Sequence, residues 1–524
     1  MFLCQKTLIK KQYMNTKYIL LSAVAAGLTM TACSDDFLEV TSPTDTFIEE
    51  YYTTEKSIDE ALVAAYAPLH WYDYGCTYNY CSLNFIADLL GDDLYPNGGS
   101  SEDQPFIQLL FNYSSTPQIA PAGIWGDSYS GVKRSNDVLK YLEWVKDMSD
   151  AKKNEVEVQA RLLRVFYYNQ LWKFFGNVPC YFENLEAPYI YEQSTADEVY
   201  TKVIAELEDI IGNPALKQDW PDEEKGRVTK PMAYMLYTEM VMIQKDNGRY
   251  GKALGYMNEL ISGGKFALMD DYSAIWDEEN EWCKESIWEI NYYDDNSVRS
   301  WGNQLAAGGS VAPRLWGPRS FQCNSTDPMY ADVDAGWGFG SVPTHTYQMF
   351  DAADKRLKAS IIDLEANGTS DDKGWMYTGY HTYKYICKKA NNKDQKADAD
   401  LGFNNNLRVY RFAETLLNAA ELSLAAGNQG DANKYLNMVR SRAGLPDATA
   451  TLDNIIDERR HEFVAEGKRY FDLVRTGKAA SVLTPANDEG GYRTKAWSEA
   501  VRFFPIPQSD IDAAQGTLTQ NGNY

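Results

Sequence analysis

Two helical segments joined by a tight turn, within residues 406–445, constrain the fold of this 524-residue chain more than any other feature. Apolar residues recur in each segment at steps of three or four, which is the period of a helix with one buried face. Gly427 separates the segments, at a position where a left-handed residue would end a helix. Ala420 and Ala432 place small side chains on the two facing surfaces. The sequence therefore predicts two antiparallel helices in close contact.

A second hairpin of this kind is predicted around residue 248. Asn247 and Gly248 provide the turn signal, and Ala253 begins a run with the same helical spacing. Both hairpins resemble tetratricopeptide units, in which paired helices stack side by side and bury a shared core. Ala253 and Ala432 are 179 residues apart, so a long insertion interrupts the array. The predicted fold is mainly α, with tetratricopeptide-like helical hairpins as its scaffold.

The insertion differs in character from the hairpins. Residues 285–292 alternate like a strand. Residues 294–343 contain seven glycines and four prolines and show little helical periodicity. Disordered segments are poor in aromatic residues, whereas this one contains Trp301, Trp316 and Trp337. We therefore expect an irregular but ordered lobe, rich in loops and with short strands.

The mature chain is predicted to be one domain, residues 33–524. Its helical scaffold covers approximately 124–262 and 406–475, and its loop-rich ligand lobe covers approximately 71–122 and 270–400. A chain of this length can bury a large core. We expect the scaffold to set the architecture and the lobe to carry the binding site.

The N-terminus has the pattern of an exported lipoprotein. A lysine-bearing lead precedes an apolar run that is too short for a permanent membrane span, and Met14 is a possible true start. The sequence MTAC at residues 30–33 resembles a bacterial lipobox, whose cysteine is lipidated once the signal peptide, residues 1–32, is removed. A multiply acylated cysteine anchors stably. We therefore predict lipidation at Cys33 and a lipid-anchored position on the outer membrane, exposed at the cell surface.

The charge of the chain restricts its partners. The net charge is −24, and removal of the four lysines in residues 1–32 leaves 46 basic against 74 acidic residues, or −28. Binding to nucleic acid would require a basic face, so nucleic acid is excluded as a partner. Negative charge instead favours solubility and a neutral ligand.

Glu458, Glu462 and Glu466 are the most tempting catalytic candidates, because paired carboxylates perform glycoside hydrolysis. They recur at four-residue steps, however, and the basic residues between them have the spacing of ion pairs along a helix. Hydrolysis requires two carboxyl groups that face each other across a cleft, so a structural role is favoured. Motifs for a catalytic zinc, a phosphate loop or a nucleophile elbow are absent from the sequence. The sequence predicts neither an enzyme nor a cofactor.

Several stretches resemble one family when taken in order along the chain. They are Gln159–Pro179, Arg411–Glu421, Glu458–Arg475, and Phe504–Pro507 leading to Leu518–Tyr524. With the lipobox, they identify the chain as a member of the SusD/RagB-like nutrient-binding lipoproteins of the outer membrane. The resemblance implies capture of an oligosaccharide or polysaccharide, and a SusC-like TonB-dependent barrel that the lipoprotein covers as a lid. The C-terminal stretch departs from the family pattern at Ala514 and Gly522, which concerns closure of the fold.

Aromatic side chains on loops form the candidate binding site. A sugar ring presents C–H groups that pack on an aromatic face, while nearby polar side chains bind its hydroxyl groups. The resemblance places glycan contacts in the two regions with this mixture, residues 71–80 and 301–339. The candidate ligand-binding residues are Trp71, Tyr74, Tyr78, Asp92, Trp301, Arg314, Trp316 and Trp337. These rings could instead pack in the lobe's core or contact the barrel, and Trp276, Trp282 and Trp288 are expected in the core.

Three functions remain open at this point. The favoured one is a surface lipoprotein that captures a glycan and passes it to the barrel unmodified. An exported glycoside hydrolase would need two carboxylates roughly 5–10 Å apart, and Asp92 and Asp334 are its candidates. A protein-interaction lid would bind no glycan and would direct its aromatic residues at the barrel. The direction in which the exposed rings point discriminates among these functions.

Overall fold

The computed structural model describes residues 47–74, 82–293, 297–392, 398–522 and 524. Contacts divide the chain into two units. The first is Met1–Tyr51, of which helix α1 (Ile48–Tyr51) is the regular part that is described. The second is Tyr52–Tyr524, to which the following description refers. The predicted signal peptide and two predicted site residues, Cys33 and Tyr78, lie outside the described residues.

Helices dominate the second unit. The helices before the inserted lobe are α2 (Glu55–Trp71), α3 (Leu83–Leu90), α4 (Pro105–Phe111), α5 (Ala122–Tyr141), α6 (Asp150–Phe175), α7 (Ala196–Gly212), α8 (Lys230–Gln244) and α9 (Tyr250–Ser262). Those that follow are α10 (Ala312–Trp316), α11 (Thr344–Gln348), α12 (Leu357–Ser360), α13 (Leu364–Asn367), α14 (Phe412–Ala425), α15 (Gln429–Ala443), α16 (Leu452–Phe463), α17 (Arg469–Arg475), α18 (Ala479–Val482) and α19 (Gln508–Ala513). None of the described helices combines the length and the apolar character that a membrane span requires.

Strands are few and short. They are β1 (Tyr95–Asn97), β2 (Val178–Pro179), β3 (Gln193–Ser194), β4 (Ser286–Ile290), β5 (Phe321–Cys323), β6 (Phe339–Ser341), β7 (Ile361–Asp363), β8 (Gly368–Ser370), β9 (Tyr380–Thr382) and β10 (Leu407–Arg411). An antiparallel four-stranded sheet has the order β1-β6-β9-β7. The pairs β4–β10, β2–β3 and β5–β8 are also antiparallel. Single 3₁₀ turns occur at Asp222–Glu224, Asn247–Arg249, Ser273–Trp276, Glu278–Asn280, Lys389–Asn392, Ala399–Leu401, Pro485–Asn487 and Glu499–Val501.

The scaffold is a row of helices in which each contacts the next. Helix α2 packs on α5, α5 on α6, α6 on α7, α7 on α8 and α8 on α9. Helix α9 then packs directly on α14, which packs on α15. The array therefore continues across the insertion, because the two helices that flank it touch. This arrangement confirms the predicted scaffold of tetratricopeptide-like hairpins.

The inserted segment is connected to the scaffold by the antiparallel strands β4 and β10, which we call the stem. Leu407 lies opposite Ile290, and Arg411 lies opposite Ser286. The strand predicted at residues 285–292 is confirmed. Residues 407–411, in contrast, continue the helical spacing of the sequence but form a strand, because they pair with β4 before α14 begins.

Small residues permit the close helix contacts. Ala420 and Ala432, on α14 and α15, are fully buried, as the sequence predicted. Gly131 of α5 faces the ring of Tyr167 on α6, and a Cβ atom at this glycine would lie 2.3 Å from that ring. The Tyr167 hydroxyl also donates to the carbonyl of Ala65 at 2.7 Å, which joins α2 to the same pair of helices. Such contacts require close packing and leave no room for a larger side chain.

Helix α2 continues through Pro68 to Trp71, although the sequence predicts that this proline ends it. Proline has no N–H, so the carbonyl of Ala64 loses its partner within the helix. Arg134 of α5 supplies the missing donor, because its Nη1 bonds to that carbonyl at 3.1 Å. The helix therefore tolerates the proline, and a residue from another helix explains why.

The charged segment predicted as one helix is two helices, α16 and α17. Ala465 (φ +66°) and Gly467 (φ +74°) form the turn between them, and the Gly467 N–H donates to Asp88 Oδ2 at 2.9 Å. The turn directs Glu462 and Glu466 inward. Their partners come from distant elements rather than from neighbouring turns of the same helix.

Four basic residues surround these glutamates in the interior. Glu462 lies 3.1 Å from Arg356, 3.1 Å from Arg411 and 2.5 Å from Arg442. Glu466 lies 2.8 Å from Arg411 and 2.6 Å from Lys384, and Glu458 and Glu285 complete the network. Burial alone would raise the pKa of Glu462, but Arg442, Arg411 and Arg356 hold it well below its usual range. The structural role predicted for the acidic residues is confirmed, but their ion pairs join separate elements and do not run along one helix.

The lobe departs from the sequence prediction in its short elements. The sequence predicts one helix over residues 347–364, but the segment contains the end of α11, the whole of the short helix α12, strand β7 and the first residue of α13. Residues 375–386 were expected to form a hairpin, whereas β9 pairs with β6 and β7 in a larger sheet. Helices α3 and α4 lie in the predicted loop at 71–122. Elements this short depend on tertiary packing, which local sequence does not reveal.

Candidate functional site

Three of the predicted aromatic residues, Tyr74, Trp301 and Trp337, come together in space, and we call them the aromatic triad. The rings of Trp301 and Trp337 are stacked, with centroids 6.0 Å apart and planes inclined by 27°. Tyr74 meets Trp301 edge to face, with centroids 5.4 Å apart and an angle of 76°. All three side chains pack against the core yet stay only partly buried. Each therefore retains accessible ring surface.

Main-chain hydrogen bonds fix the two tryptophans. The Trp301 N–H donates to Asp398 Oδ2 at 2.7 Å, and its carbonyl accepts from Gln304 Nε2. The Trp337 N–H donates to the carbonyl of Arg314 at 2.8 Å. The loops that carry these rings are irregular, but their backbones are held at both tryptophans.

A buried ion pair connects the segments on either side of the triad, and we call it the clamp. Asp73 precedes Tyr74, and Arg299 is two residues before Trp301. The guanidinium of Arg299 binds the carboxylate of Asp73 through two hydrogen bonds, of 2.6 and 2.7 Å. Both residues are at most 2% exposed. A buried bidentate pair has strict geometry, so the clamp fixes Tyr74 relative to Trp301.

The clamp is satisfied by further hydrogen bonds. The main-chain N–H of Val311 donates to Asp73 Oδ2 at 2.8 Å. Arg299 also donates to the carbonyls of Gln304 and Gly309, both at 2.7 Å. Sequence reasoning missed these residues, because nothing local links an aspartate at 73 with an arginine at 299.

Charged side chains flank the triad beside Trp337. Arg314 Nε lies 2.9 Å from Asp400 Oδ1, and Arg314 Nη1 lies 3.7 Å from Asp334 Oδ2. The guanidinium also sits over the ring of Phe403, at 5.2 Å from its centroid. Arg314 and both aspartates are only partly buried. They offer donors and acceptors next to an aromatic surface, which is the combination that binds polar ligands with apolar faces.

Two of the predicted tryptophans support the site from within instead of lining its surface. Trp316 is fully buried between Phe85 and Tyr385, so the expectation that it is displayed is wrong. Helix α10 ends at this residue and turns its ring into the core. Trp71 is 5% exposed, and its Nε1 donates to the carbonyl of Leu305 at 3.1 Å. It therefore holds the loop that carries Trp301.

Asp92 is also engaged in the interior. Its carboxylate lies 2.8 Å from Arg469 and 3.2 Å from Arg460. Burial would raise its pKa, but the two arginines hold that pKa far below the usual range. A general acid in glycoside hydrolysis needs a raised pKa. Asp92 is thus unsuited to that role, and Asp334 is paired with Arg314.

The tryptophans assigned to the core behave largely as predicted. Trp276 and Trp288 are at most 1% exposed, which confirms the prediction for both. Trp282 is only partly buried, and its Nε1 donates to Asn291 Oδ1 at 2.9 Å. The side chain of Trp282 therefore lies at the margin of the core.

The chain is similar to solved surface glycan-binding proteins over nearly its whole length. It is 47% identical to surface glycan-binding protein A from Bacteroides thetaiotaomicron in complex with laminarihexaose, covering 90% of this chain and 100% of that one, with a TM-score of 0.84. The model of the SusD family matches residues 284–524, and a second model, described as "Starch-binding associating with outer membrane", matches residues 36–239. The chain belongs to the SusD family.

Other SusD-family relatives agree with this assignment. Surface glycan-binding protein A from Bacteroides uniformis is 43% identical, with 89% of this chain and 99% of that chain covered and a TM-score of 0.81. SusD-like protein P25 from Formosa agariphila is 24% identical over 525 residues, which cover 90% of this chain and 93% of the relative. The family interpretation drawn from the four sequence stretches is thus confirmed.

Proposed function

We propose that this SusD-family protein captures a neutral β-glucan of the laminarin class through the aromatic triad. The observation that carries the proposal is the meeting of three partly exposed rings from separate segments in a protein 47% identical to one solved with laminarihexaose. Stacked indoles provide flat apolar faces, and glucose rings carry C–H surfaces that pack against such faces.

The charge distribution supports a neutral ligand. The chain carries a net charge of −24, so an anionic polysaccharide would approach against a repulsive field. Near the triad, Arg314 is already accompanied by Asp334 and Asp400. These groups are suited to hydrogen bonding with hydroxyl groups, since no excess of positive charge is left for a carboxylate or sulfate.

The protein is proposed to bind the glucan without chemical change. Of the two carboxylates considered for hydrolysis, Asp92 is held ionised by Arg469 and Arg460, and Asp334 lies next to Arg314. The acidic residues around Glu462 are engaged in ion pairs within the protein. Binding without hydrolysis also agrees with the glycan-binding relatives.

The location and the partner follow from the family and from the N-terminal sequence. One matching family model describes association with the outer membrane. We propose that lipidation of Cys33 anchors the protein at the cell surface, and that a SusC-like TonB-dependent barrel receives the captured glucan. A lid that only contacts the barrel and binds no glucan is the second candidate function.

Calorimetric titration with laminarihexaose tests the proposal. Trp301→Ala and Trp337→Ala should each weaken binding by about 3- to 10-fold, because each removes a stacking face. Trp375→Ala is the matched control, since Trp375 is 37% exposed on the lobe and is not part of the triad. Maltohexaose, the α-linked glucan of equal length, tests whether the linkage matters.

The outcomes separate the candidate functions. Equal affinity of the wild type and both triad variants for laminarihexaose would remove the triad from the binding site. Preference for maltohexaose would retain glucan binding and overturn the laminarin class. Binding of neither glucan, with an intact complex between protein and barrel, would favour the interaction lid.

A further inference from the structure

A loop on the scaffold, residues 180–192, is closed at its base by the β2–β3 pair. Val178 lies opposite Ser194, and Pro179 lies opposite Gln193. The Tyr168 hydroxyl donates to the Tyr181 carbonyl at 2.6 Å and accepts from the Tyr181 N–H at 2.8 Å. The start of the loop is thus fixed to α6. Loops with closed ends and internal packing are frequently functional.

This loop forms one wall of an open groove, which we call the tyrosine groove. Its residues lie on the loop, on α5 and near the C-terminus. The lining aromatic residues are Trp125, Tyr129, Tyr181, Tyr189 and Tyr191. The smaller residues that line the groove include Leu185, Asp510, Ala513 and Leu518. None of them belongs to the aromatic triad or to its clamp.

The aromatic rings form a connected series. Trp125 and Tyr129 have centroids 4.8 Å apart, and Tyr129 and Tyr181 lie 6.1 Å apart with planes inclined by only 16°. Tyr181 and Tyr191 are 5.5 Å apart. The rings of Trp125, Tyr129 and Tyr181 therefore belong to the core or pack against it. Tyr191 is 39% exposed and Tyr189 is 72% exposed.

Tyr189 is displayed in a conformation that tyrosine rarely adopts. Its φ is +63°, in the left-handed region. The Tyr189 N–H donates to the carbonyl of Glu186 at 2.7 Å, which holds the backbone in this turn. Residues in sparsely populated backbone regions persist where the surroundings enforce them, and they cluster at binding sites. The loop thus holds a large ring at the groove's rim, where it gains little from internal packing.

The charged side chain that lines the groove is the acidic Asp510. Asp510 accepts from Trp125 Nε1 at 3.0 Å, and its second oxygen lies 3.1 Å from Ser509 Oγ. Exposed Glu186 and Glu192 belong to the same loop. Carboxylates repel a polyanion but accept hydrogen bonds from hydroxyl groups. An apolar protein surface would bury Asp510 without new partners, which is costly, so the groove fits a hydroxylated neutral chain better.

We propose that the tyrosine groove is a second binding site for a neutral glucan, in addition to the aromatic triad. This inference rests on the proposed function for the choice of ligand. An open groove accepts an internal stretch of a long chain and does not require a chain end. A polysaccharide held at one site also has a raised effective concentration at another, so the groove contributes most with polymeric ligand.

Titrations with laminarihexaose and retention on immobilised laminarin test the groove. Tyr189→Ala/Tyr191→Ala removes its two displayed rings, and Tyr189→Phe/Tyr191→Phe keeps the rings. Leu452→Ala is the control, because Leu452 is also 39% exposed but lies on α16. Wild type should show a second, weaker binding event for the hexasaccharide. The alanine pair should lose that event and elute earlier from laminarin, while the phenylalanine pair and the control behave like wild type.

Trp301→Ala separates failure of the groove from failure of the proposed function. In that background, retention on laminarin should be reduced but still measurable, and it should fall further when Tyr189→Ala/Tyr191→Ala is added. Unchanged retention and unchanged binding events in the alanine pair would overturn the groove as a glucan site. Loss of the barrel complex in that pair, with glucan binding intact, would also overturn it and would assign the groove to protein contact. Loss of all binding in Trp301→Ala alone would support the triad and refute the groove.

Discussion

In the scaffold, the charged segment around Glu462 lies in the interior, whereas in the lobe the aromatic triad lies at the surface. Glu462, Arg356 and Arg411 are at most 1% exposed, although charged residues are almost never fully buried without partners. Trp301 and Trp337 remain partly exposed, although indole rings are mainly buried in globular proteins. Both regions depart from the usual distribution, in which charged side chains lie at the surface and aromatic side chains lie in the interior.

The difference in burial between the charged network and the triad indicates different roles for the two regions. Buried charges are satisfied only in one arrangement, so they fix how α16, β10 and the lobe meet. The residues of the triad stay partly exposed, and under the proposed function their accessible surface binds the glucan. We therefore expect substitutions in the charged network to change stability, and substitutions in the triad to change affinity.

The largest effect is expected from Glu462→Ala. Removal of this carboxylate takes away a buried negative charge that Arg356, Arg411 and Arg442 share and leaves the network with excess positive charge, which should lower the free energy of unfolding by about 3–5 kcal/mol. Urea denaturation measures the change. Glu365→Ala is the control, because its partner Lys373 is exposed and water screens the pair, so its removal should leave stability nearly unchanged. If folded Glu462→Ala lost glucan affinity but kept its stability, the assignment of the charged network to stability would be wrong.

Asp73→Asn should affect both properties, because the clamp is buried like the network but lies beside the triad. We expect about 2–3 kcal/mol of lost stability, since the amide replaces one acceptor and removes the charge that Arg299 needs. Affinity for laminarihexaose should also fall as Tyr74 and Trp301 lose their fixed spacing.

Asp372→Asn is the matched control for the clamp. Asp372 pairs with Arg319 at 2.6 Å on the same lobe, but it is 52% exposed. This variant should retain both stability and affinity. If Asp73→Asn also retained full affinity for laminarihexaose at a temperature where it is folded, the clamp would contribute to stability and not to binding.

Mild acid should destabilise the fold through buried histidines, because burial lowers the pKa of His70 on α2 to about 4, as it does for His381 in the lobe. Burial lowers the pKa of His381, in the four-stranded sheet, to about 4. Above pH 6.5 this histidine is neutral in both states. As the pH falls from 6.5 towards 4, the unfolded chain takes up the proton and the folded one does not, so stability is lost. Between pH 7 and pH 5 the loss is about 2 kcal/mol. Glu462 and Glu466 have lowered pKa values and begin to lose stability only below about pH 4.5.

Two variants check the sign of this effect by urea denaturation at pH 7 and pH 5. His381→Gln should reduce the acid-induced loss by about 2 kcal/mol. Glu281 has the opposite behaviour, because burial raises its pKa to about 8 and its contribution grows as the pH falls. Glu281→Gln should therefore enlarge the loss. Equal pH dependence in wild type and both variants would show that these groups are not perturbed.

The smallest effect is expected from salt on glucan binding. Raising the salt concentration from 50 to 500 mM should change the affinity for laminarihexaose by less than about twofold, because a neutral ligand releases no counterions. Calorimetric titration at both concentrations checks this. A steep decline with salt would indicate that charged groups such as Arg314 dominate recognition, and would oppose the neutral-glucan proposal.

The scaffold could be predicted from the sequence because its signals are local. The spacing around Ala432 and the break at Gly427 depend only on neighbouring residues. The aromatic residues of the lobe were also found, as rings retained among glycines and prolines. Which of them face outwards was not predictable, since Trp301 and Trp316 stand in the same loop-rich segment and only packing against Phe85 and Tyr385 separates them.

Long-range partners explain the remaining differences. Arg134 sustains α2 through Pro68 from another helix, and the clamp joins residues 226 positions apart. The break after α16 depends on Gly467 meeting Asp88. Each of these contacts joins residues that are far apart in the sequence. Hydrophobic periodicity and helix or strand propensity depend on neighbouring residues, so they cannot predict such contacts.

The β4–β10 stem, which closes the insertion, has an evolutionary consequence. Because α9 and α14 touch without it, the segment between Ile290 and Leu407 can change while the helical array stays intact, provided that the buried partners of Glu462 and Glu466, Arg356 and Lys384, are kept. Closing a longer loop costs only about 0.6 kcal/mol for each doubling of its length. Such a framework allows the lobe to change in size without a new scaffold. Transplanting this segment together with Asp73 and Tyr74, which complete the clamp and the triad, should transfer sugar preference.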